Sequence, residues 1–476
     1  MIQKSAFLVF WSLVSGALLS AAGLNLANVA VGSSLQTPTT FKLSEPAPEG
    51  GLEVTLTSED ASRLKLSRRP DASGTDSIVV KVAAGFNESM DFWLLGMAGE
   101  GEVAYTATAR SFSPGRGIVT LTPSAIVMVG PFKATEFKTT TGAASSRLVL
   151  YSVRLTPSME YAEQQAVAAG VSLDIEILSS AEGVGVISPS RLSIPGGAPN
   201  AVSEFKPAQP GTTSITTSIP PGFSRPPAKY AAVLANVALP GLAITDQLLI
   251  GQNLQVGGNV GLGEAAGPGG VQVTLTSEDP AQLLISGSGT EVGQKSITVT
   301  VPPGAVSAHF TLQALGKAGT ATYSASARGY SSRIGKIGLA PSGVVIAPSP
   351  YGPPDEAELF RKTGEGARGF ISHLSKGKDF KMPLSVWTVQ LDPITLRSAD
   401  ITVQPLRAGM SITVNVESSN PAAGKVKSPV VIQGGMEIGH SEFVALTNGT
   451  TLITAVTPSG FTKSTNSTTV EAIVKD

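Results

Sequence analysis

Along most of the chain, apolar and polar residues alternate one for one. From Thr320 to Ala327, Ala321, Tyr323, Ala325 and Ala327 fall on one face, and Thr320, Thr322, Ser324 and Ser326 on the other. Val271, Val273 and Leu275 alternate with Gln272, Thr274 and Thr276; Ile297, Val299 and Val301 alternate with Ser296, Thr298 and Thr300. A period of two predicts strands that bury one face and wet the other, as in an antiparallel sandwich. Turn chemistry interrupts them at short spacing: Pro268-Gly269-Gly270, Pro302-Pro303-Gly304, Gly316 to Gly319, and Arg328-Gly329-Tyr330.

The pattern repeats. Leu52–Asp60 reads LEVTLTSED and Val271–Asp279 reads VQVTLTSED, an offset of 219 residues. The same offset aligns Leu35-Gln36 with Leu254-Gln255 and Gly50-Gly51 with Gly269-Gly270; at 218 it pairs Phe92 with Phe310 and Tyr105 with Tyr323. The intervening segments also match. At 238, Ser203-Glu204-Phe205 pairs with Ser441-Glu442-Phe443; upstream, at 236, Tyr151–Pro157 resembles Trp387–Pro393. The chain therefore reads A-B-A′-B′, with units at 23–130, 131–240, 241–348 and 349–476. Each unit carries a Gly turn, a Phe-bearing strand and a terminal aromatic: Gly85/Phe92/Phe112, Gly197/Phe205/Phe223, Gly304/Phe310/Tyr330 and Gly435/Phe443/Phe461.

Roughly seven short strands in about 110 residues is the count of an immunoglobulin-like sandwich. The TLTSED, V-P-x-G and T-A-x-A-R-G-Y-type stretches make residues 23–476 resemble the tandem immunoglobulin-like repeats of bacterial surface and secreted proteins. That resemblance implies an all-β chain of four tandem immunoglobulin-like antiparallel β-sandwich domains.

One stretch departs from the repeat. The segment 351–383 is charged and longer than its counterpart at 131–146. Asp355 to Arg361 is expected to form a short helix. The segment reads as a solvated linker or edge insertion, with a partner-contact loop as the alternative.

Residues 1–22 join one lysine to an apolar run ending in small residues, the pattern of a secretory signal peptide cleaved after Ala22. The run exceeds the usual length, so an uncleaved anchor is the alternative. Gly241 aligns with Ala22, so the first A unit begins where the signal ends. The expected location is secreted or at the cell surface, with the periplasmic side as an alternative, and with no membrane span after signal removal. A secreted chain with no cysteine suits a bacterial outer compartment.

Composition narrows the chemistry. Lys+Arg is 34 and Asp+Glu 35, a net charge of −1, which leaves no basic footprint for nucleic acid. Zero cysteines exclude disulfides, thiolate metal sites and cysteine nucleophiles. The three histidines, His309, His373 and His440, do not fall at metal-ligand spacing. The best acidic pairs are Glu59-Asp60 and Glu278-Asp279, weak metal candidates that read better as caps of a strand-end turn. Trp93 follows Phe92 and is expected on the opposite, exposed face, a weak ligand-binding candidate. Trp387 reads as core. No catalytic residue, cofactor or phosphate cradle is indicated.

The expected function is a non-catalytic, rod-like structural or adhesive surface scaffold or fibre component. Its partner would be a surface or matrix protein or glycan, with self-association through edge strands. A carbohydrate-binding accessory protein is the first alternative. An enzyme with a site in 351–383 or the last unit is the second.

Overall fold

A computed structural model describes residues 22–349, 357–361, 367–374, 381–399 and 402–476. Residues 1–21, nearly all of the expected signal, and parts of the charged insertion lie outside the described residues. The chain divides into two compact units between Ala238 and Leu239. The described residues form strands and short 3-10 turns, with no α-helix, and the architecture is β-sandwich-like.

In the first unit, one five-stranded sheet runs in the order Val29–Gly32, Phe112–Thr122, Glu102–Ala109, Leu52–Ser58, Ser77–Val82. A second sheet, Leu35–Thr39, Phe92–Gly96 and Leu64–Ser67, shares its core around Phe41, Phe92 and Tyr105. The next pair of sheets has the same plan. Ser124–Val129, Ser146–Leu155, Asn200–Pro207 and Gly185–Ser188 form one layer. Glu136–Thr140, Val233–Ala238, Gly211–Thr217, Ser172–Ser179 and Arg191–Pro195 form the other. Phe137 and Phe205 meet edge to face between them, with ring centroids 5.9 Å apart.

The second unit repeats this arrangement. Leu249–Gly251, Arg333–Ala340, Thr320–Ala327, Val271–Ser277 and Ser296–Val301 make its first five-stranded sheet. Ala243–Ile244, Gln255–Gly261, Ser307–Ala314 and Leu283–Ser286 oppose it. Ser342–Pro348, Lys381–Gln390, Ile438–Ala445 and Gly424–Val426 then face Ala357–Arg361, Ala367–His373, Thr469–Lys475, Gly449–Ala455 and Val416–Ser418.

Burial follows the alternation in the sequence. Val273, Leu275, Ala321, Tyr323 and Ala325 are buried, while Gln272 and Thr274 are exposed. The wet faces carry hydroxyl pairs across neighbouring strands, such as Thr57 with Ser77 at 3.0 Å and Thr276 with Ser296 at 2.9 Å. Such pairs stabilise a sheet without charge, which suits a chain of which only 14% is charged.

Two expectations need correction. The sheets are not purely antiparallel. In each sandwich an early strand lies parallel to the last: Val29–Gly32 on Phe112–Thr122, Glu136–Thr140 on Val233–Ala238, Leu249–Gly251 on Arg333–Ala340, and Ala367–His373 on Thr469–Lys475. Parallel neighbours need a long crossover, and here the rest of the sandwich supplies it. Nor does the described part of the expected helix, 357–361, form one; Asp355 and Glu356 lie outside the described residues. Ala357–Arg361 pairs antiparallel with Ala367–His373 and extends that sheet at its edge. The second of these strands buries Phe370 edge to face on Phe443, centroids 5.4 Å apart. The burial gained by Phe370 and the ladders that Ala367–His373 makes on both its edges outweigh the helical tendency of the Glu-Ala-Glu-Leu run.

Candidate functional site

Within each unit the two sandwiches are joined by side chains that recur residue for residue. Gln165, from the strand-rich approach to Ala166–Val167, turns its amide toward the preceding sandwich. Its Oε1 accepts from the Gly32 N–H at 2.9 Å and its Nε2 donates to the Ala30 carbonyl at 2.9 Å. Gln36 reaches back the other way: Oε1 accepts from the Ala169 N–H at 2.9 Å, and Nε2 donates to the Pro70 carbonyl at 2.7 Å. Both glutamines are buried. Between them Ala166–Val167 pairs with Leu35–Gln36, so the second sandwich adds a short strand to the first. Leu35 packs in the core of the second sandwich.

The second unit has the same clamp. Gln404 accepts from the Gly251 N–H at 2.9 Å and donates to the Leu249 carbonyl at 2.9 Å. Gln255 accepts from the Ala408 N–H at 3.1 Å and donates to the Gly289 carbonyl at 2.7 Å. Gly197 and Gly435 close the junction. Each has a positive φ (88° and 87°), and a Cβ there would stand 2.9 Å from the Pro70 carbonyl oxygen or 3.2 Å from that of Gly289. Only glycine combines that conformation with so close a backbone approach.

Sequence reasoning aligned Gln36 with Gln255 and singled out Gly197 and Gly435, but missed Gln165 and Gln404. The signal was present: at an offset of 239, Gln165, Ala169 and Gly170 fall on Gln404, Ala408 and Gly409.

The acidic pairs occupy strand-end turns. Asp60 accepts from the Ser62 N–H at 3.1 Å and from its hydroxyl, while its own N–H donates to Ser58 Oγ. The Ser62 hydroxyl holds the Asp60 carboxyl below its ordinary range. Glu59 forms a two-point ion pair with Arg116, whose guanidinium lowers its carboxyl pKa in the same way. In the repeat, Asp279 accepts from the Ala281 N–H and Glu278 from the Ser324 hydroxyl. Among the described residues, no group of three or more His, Asp or Glu is placed to hold a metal ion. His309 and His440 are exposed, and His373 is half-buried beside the Asp476 carbonyl.

Trp93 is half-buried, packed on Leu95, Ala168 and Ala169. Its ring covers the clamp instead of standing open to solvent, because the second sandwich closes over that strand face.

Trp387 lies elsewhere. It is half-buried on Val345, Val389 and Leu391, on the outer face of Lys381–Gln390. That face opens into a groove of about 400 Å³, with Val403, Arg368, Ser398 and Ser467 along its sides. Asn466 pins one wall, accepting from the Ser398 N–H at 2.9 Å and donating to the Ser398 carbonyl at 3.0 Å. The Ser467 carbonyl pins the other, accepting from the Ile346 N–H at 2.9 Å. No helix among the described residues is long and apolar enough to cross a membrane.

Compared with protein-family models and with curated proteins, the chain matches none.

Proposed function

We propose that the chain is an exported, non-catalytic structural or adhesive protein, built from four immunoglobulin-like sandwiches in an A-B-A′-B′ repeat and acting as a surface scaffold. The twice-repeated glutamine clamp carries this reading. Each clamp uses two glutamine amides and a strictly glycine turn to hold two sandwiches in one orientation, reinforced in the first unit by a shared strand and in the second by a single bridge between Leu254 and Leu406. Buried, fully satisfied polar contacts of this kind specify geometry, and fixed geometry between neighbours is what a load-bearing or spacing element needs. Sandwiches of seven or more short strands favour the immunoglobulin-like assignment. Hydroxyl-rich faces of low charge suit a protein working outside the cell among other surfaces. Export itself rests on the signal-like residues 1–22.

The test is to treat intact cells of the source organism with protease and follow the chain by immunoblot, alongside an adherence assay with a deletion strain. Release from the surface and reduced adherence are expected. Retention in the cytosolic fraction, or turnover of glycosidic or ester substrates by the purified chain, overturns the reading.

A further inference from the structure

A strand at the end of a sheet offers unpaired N–H and C=O groups, and proteins guard it with charge, proline, short length or cover. Among the described residues, most end strands are guarded in this way. Ser77–Val82 carries Lys81, Glu136–Thr140 carries Glu136 and Lys138, Arg191–Pro195 carries Arg191 and Pro195, and Ala357–Arg361 carries Glu358 and Arg361. Ser124–Val129 is uncharged, but it is buried at every residue and bridged by Ser224. Ser342–Pro348 is bonded along its edge by Thr462 and Ser467. The others have four residues or fewer, apart from one. That one is Ser296–Val301. It ends its sheet, its ladder runs to Val271–Ser277 alone, and its six residues, SITVTV, include no charge, proline or glycine. We propose that Ser296–Val301 pairs antiparallel with the same strand of a second copy of this chain, joining the two sheets across a two-fold axis. The proposal goes beyond the scaffold reading and does not depend on it.

The backbone fixes the geometry. The Lys295 carbonyl accepts from the Ser277 N–H, toward the neighbouring strand. Backbone groups alternate sides along an antiparallel strand. Ile297, Val299 and Val301 therefore bond the same neighbour, while the N–H and C=O groups of Ser296, Thr298 and Thr300 point outward. Gln294, bridged to Ile285 on the other side, follows the same alternation. A two-fold axis through Thr298, perpendicular to the sheet, sets Thr298 opposite Thr298 and Ser296 opposite Thr300. The three outward N–H and three outward C=O groups of each strand then all find partners. Pro302, which has no N–H, ends the ladder. On the core side Ile297 meets Val299 twice, and on the wet side small hydroxyl residues meet each other, both favourable cross-strand combinations. No like charges meet. Lys295 falls opposite Val301, so the two copies of Lys295 stand at opposite ends of the contact, about 20 Å apart. The strand is thus self-complementary in length, backbone and charge, which makes a second copy the partner it fits. A contact of this kind closes at two copies and builds no open fibre.

The first unit supplies the control. At the offset of 219, Thr298 falls on Val79 and Thr300 on Lys81. Ser77–Val82 holds the same place in its sheet with Lys81 exposed. The fold therefore accepts a lysine at this position, and only the pairing of two copies would be opposed by it.

The experiment is sedimentation equilibrium of the purified full chain over a concentration series, with amide hydrogen exchange as the residue-level check. A reversible monomer–dimer equilibrium is expected. The amides of Ser296, Thr298 and Thr300 should gain protection as the dimer forms, while those of Ile297, Val299 and Val301 are protected throughout. Thr300→Lys should weaken dimerisation at least tenfold at an unchanged melting temperature. If Thr300→Lys fails to fold, Thr298→Pro serves instead, because it removes only an outward N–H and proline is tolerated on an edge strand. A monomer at every concentration up to about 1 mM overturns the proposal. So does an assembly larger than two, or a dimer that the folded variants leave unweakened. None of these results bears on the scaffold reading, whose test is surface exposure and adherence.

Discussion

At the scale of single residues, the clamp glutamines and the core tyrosines are the positions where small changes have readable effects. Gln165→Ala strips partners from the Gly32 N–H and the Ala30 carbonyl in a buried setting. Each orphaned group costs about 1–3 kcal/mol, so a loss of about 3 kcal/mol is expected. Chemical denaturation of the full chain checks this, with the exposed neighbour Gln164→Ala as a control expected to stay within about 0.5 kcal/mol. Tyr105 supplies a pH prediction. Its hydroxyl donates to the Ala27 carbonyl at 2.7 Å, and burial pushes its pKa up to about 12. Tyr323, bonded to the Thr245 carbonyl, is shifted in the same direction and for the same reason. A phenol with a raised folded-state pKa keeps its proton where the unfolded chain has lost it. Its stabilising contribution is therefore full below about pH 10 and is lost as pH rises from there through about 12. Urea midpoints measured from pH 9 to 12 should fall, and Tyr105→Phe should flatten the fall while lowering the midpoint at neutral pH.

At the scale of elements, the strand pair in the charged insertion separates burial from composition. A short helix was expected over Asp355 to Arg361, yet the segment that matters is Ala367–His373, anchored by Phe370. Its counterpart Glu136–Thr140 carries Phe137 at the same place. Phe370→Ala should destabilise the second unit by about 3–5 kcal/mol, the usual cost of emptying a buried phenylalanine site. Leu359, 45% exposed on the edge strand, should cost under about 1 kcal/mol when changed to Ala. Equal effects of the two substitutions, measured by thermal unfolding, would contradict the assignment of the core to the inner strand. The strands themselves were legible wherever one face is buried, because alternation is a direct record of that burial. Parallel pairing was not legible, since a strand's own residues do not encode the direction of a neighbour about a hundred residues away.

At the scale of the whole molecule, the compact unit is a clamped pair of sandwiches. A break between Ala238 and Leu239 should yield fragments 22–238 and 239–476 that each retain β-type circular dichroism and a cooperative melt. A break at Pro123 should not: the 22–122 fragment loses the Ala166–Val167 strand and Gln165, exposing Leu35 and the edge beside it. Its melting temperature should drop by at least several degrees relative to 22–238, or it should aggregate through the uncovered edge.

The sequence alone determined the all-β class, the repeat, the buried aromatics and the glycine turns. Those depend on period-two patterning, local turn chemistry and self-similarity, all of which are written in neighbouring or regularly spaced residues. The tertiary structure alone decided what Gln165 and Gln404 hold, why Trp93 is covered, and why Trp387 borders a groove. Whether an amide or an indole meets backbone, side chain or open space depends on which distant surface folds against it, and no local pattern in the chain carries that information.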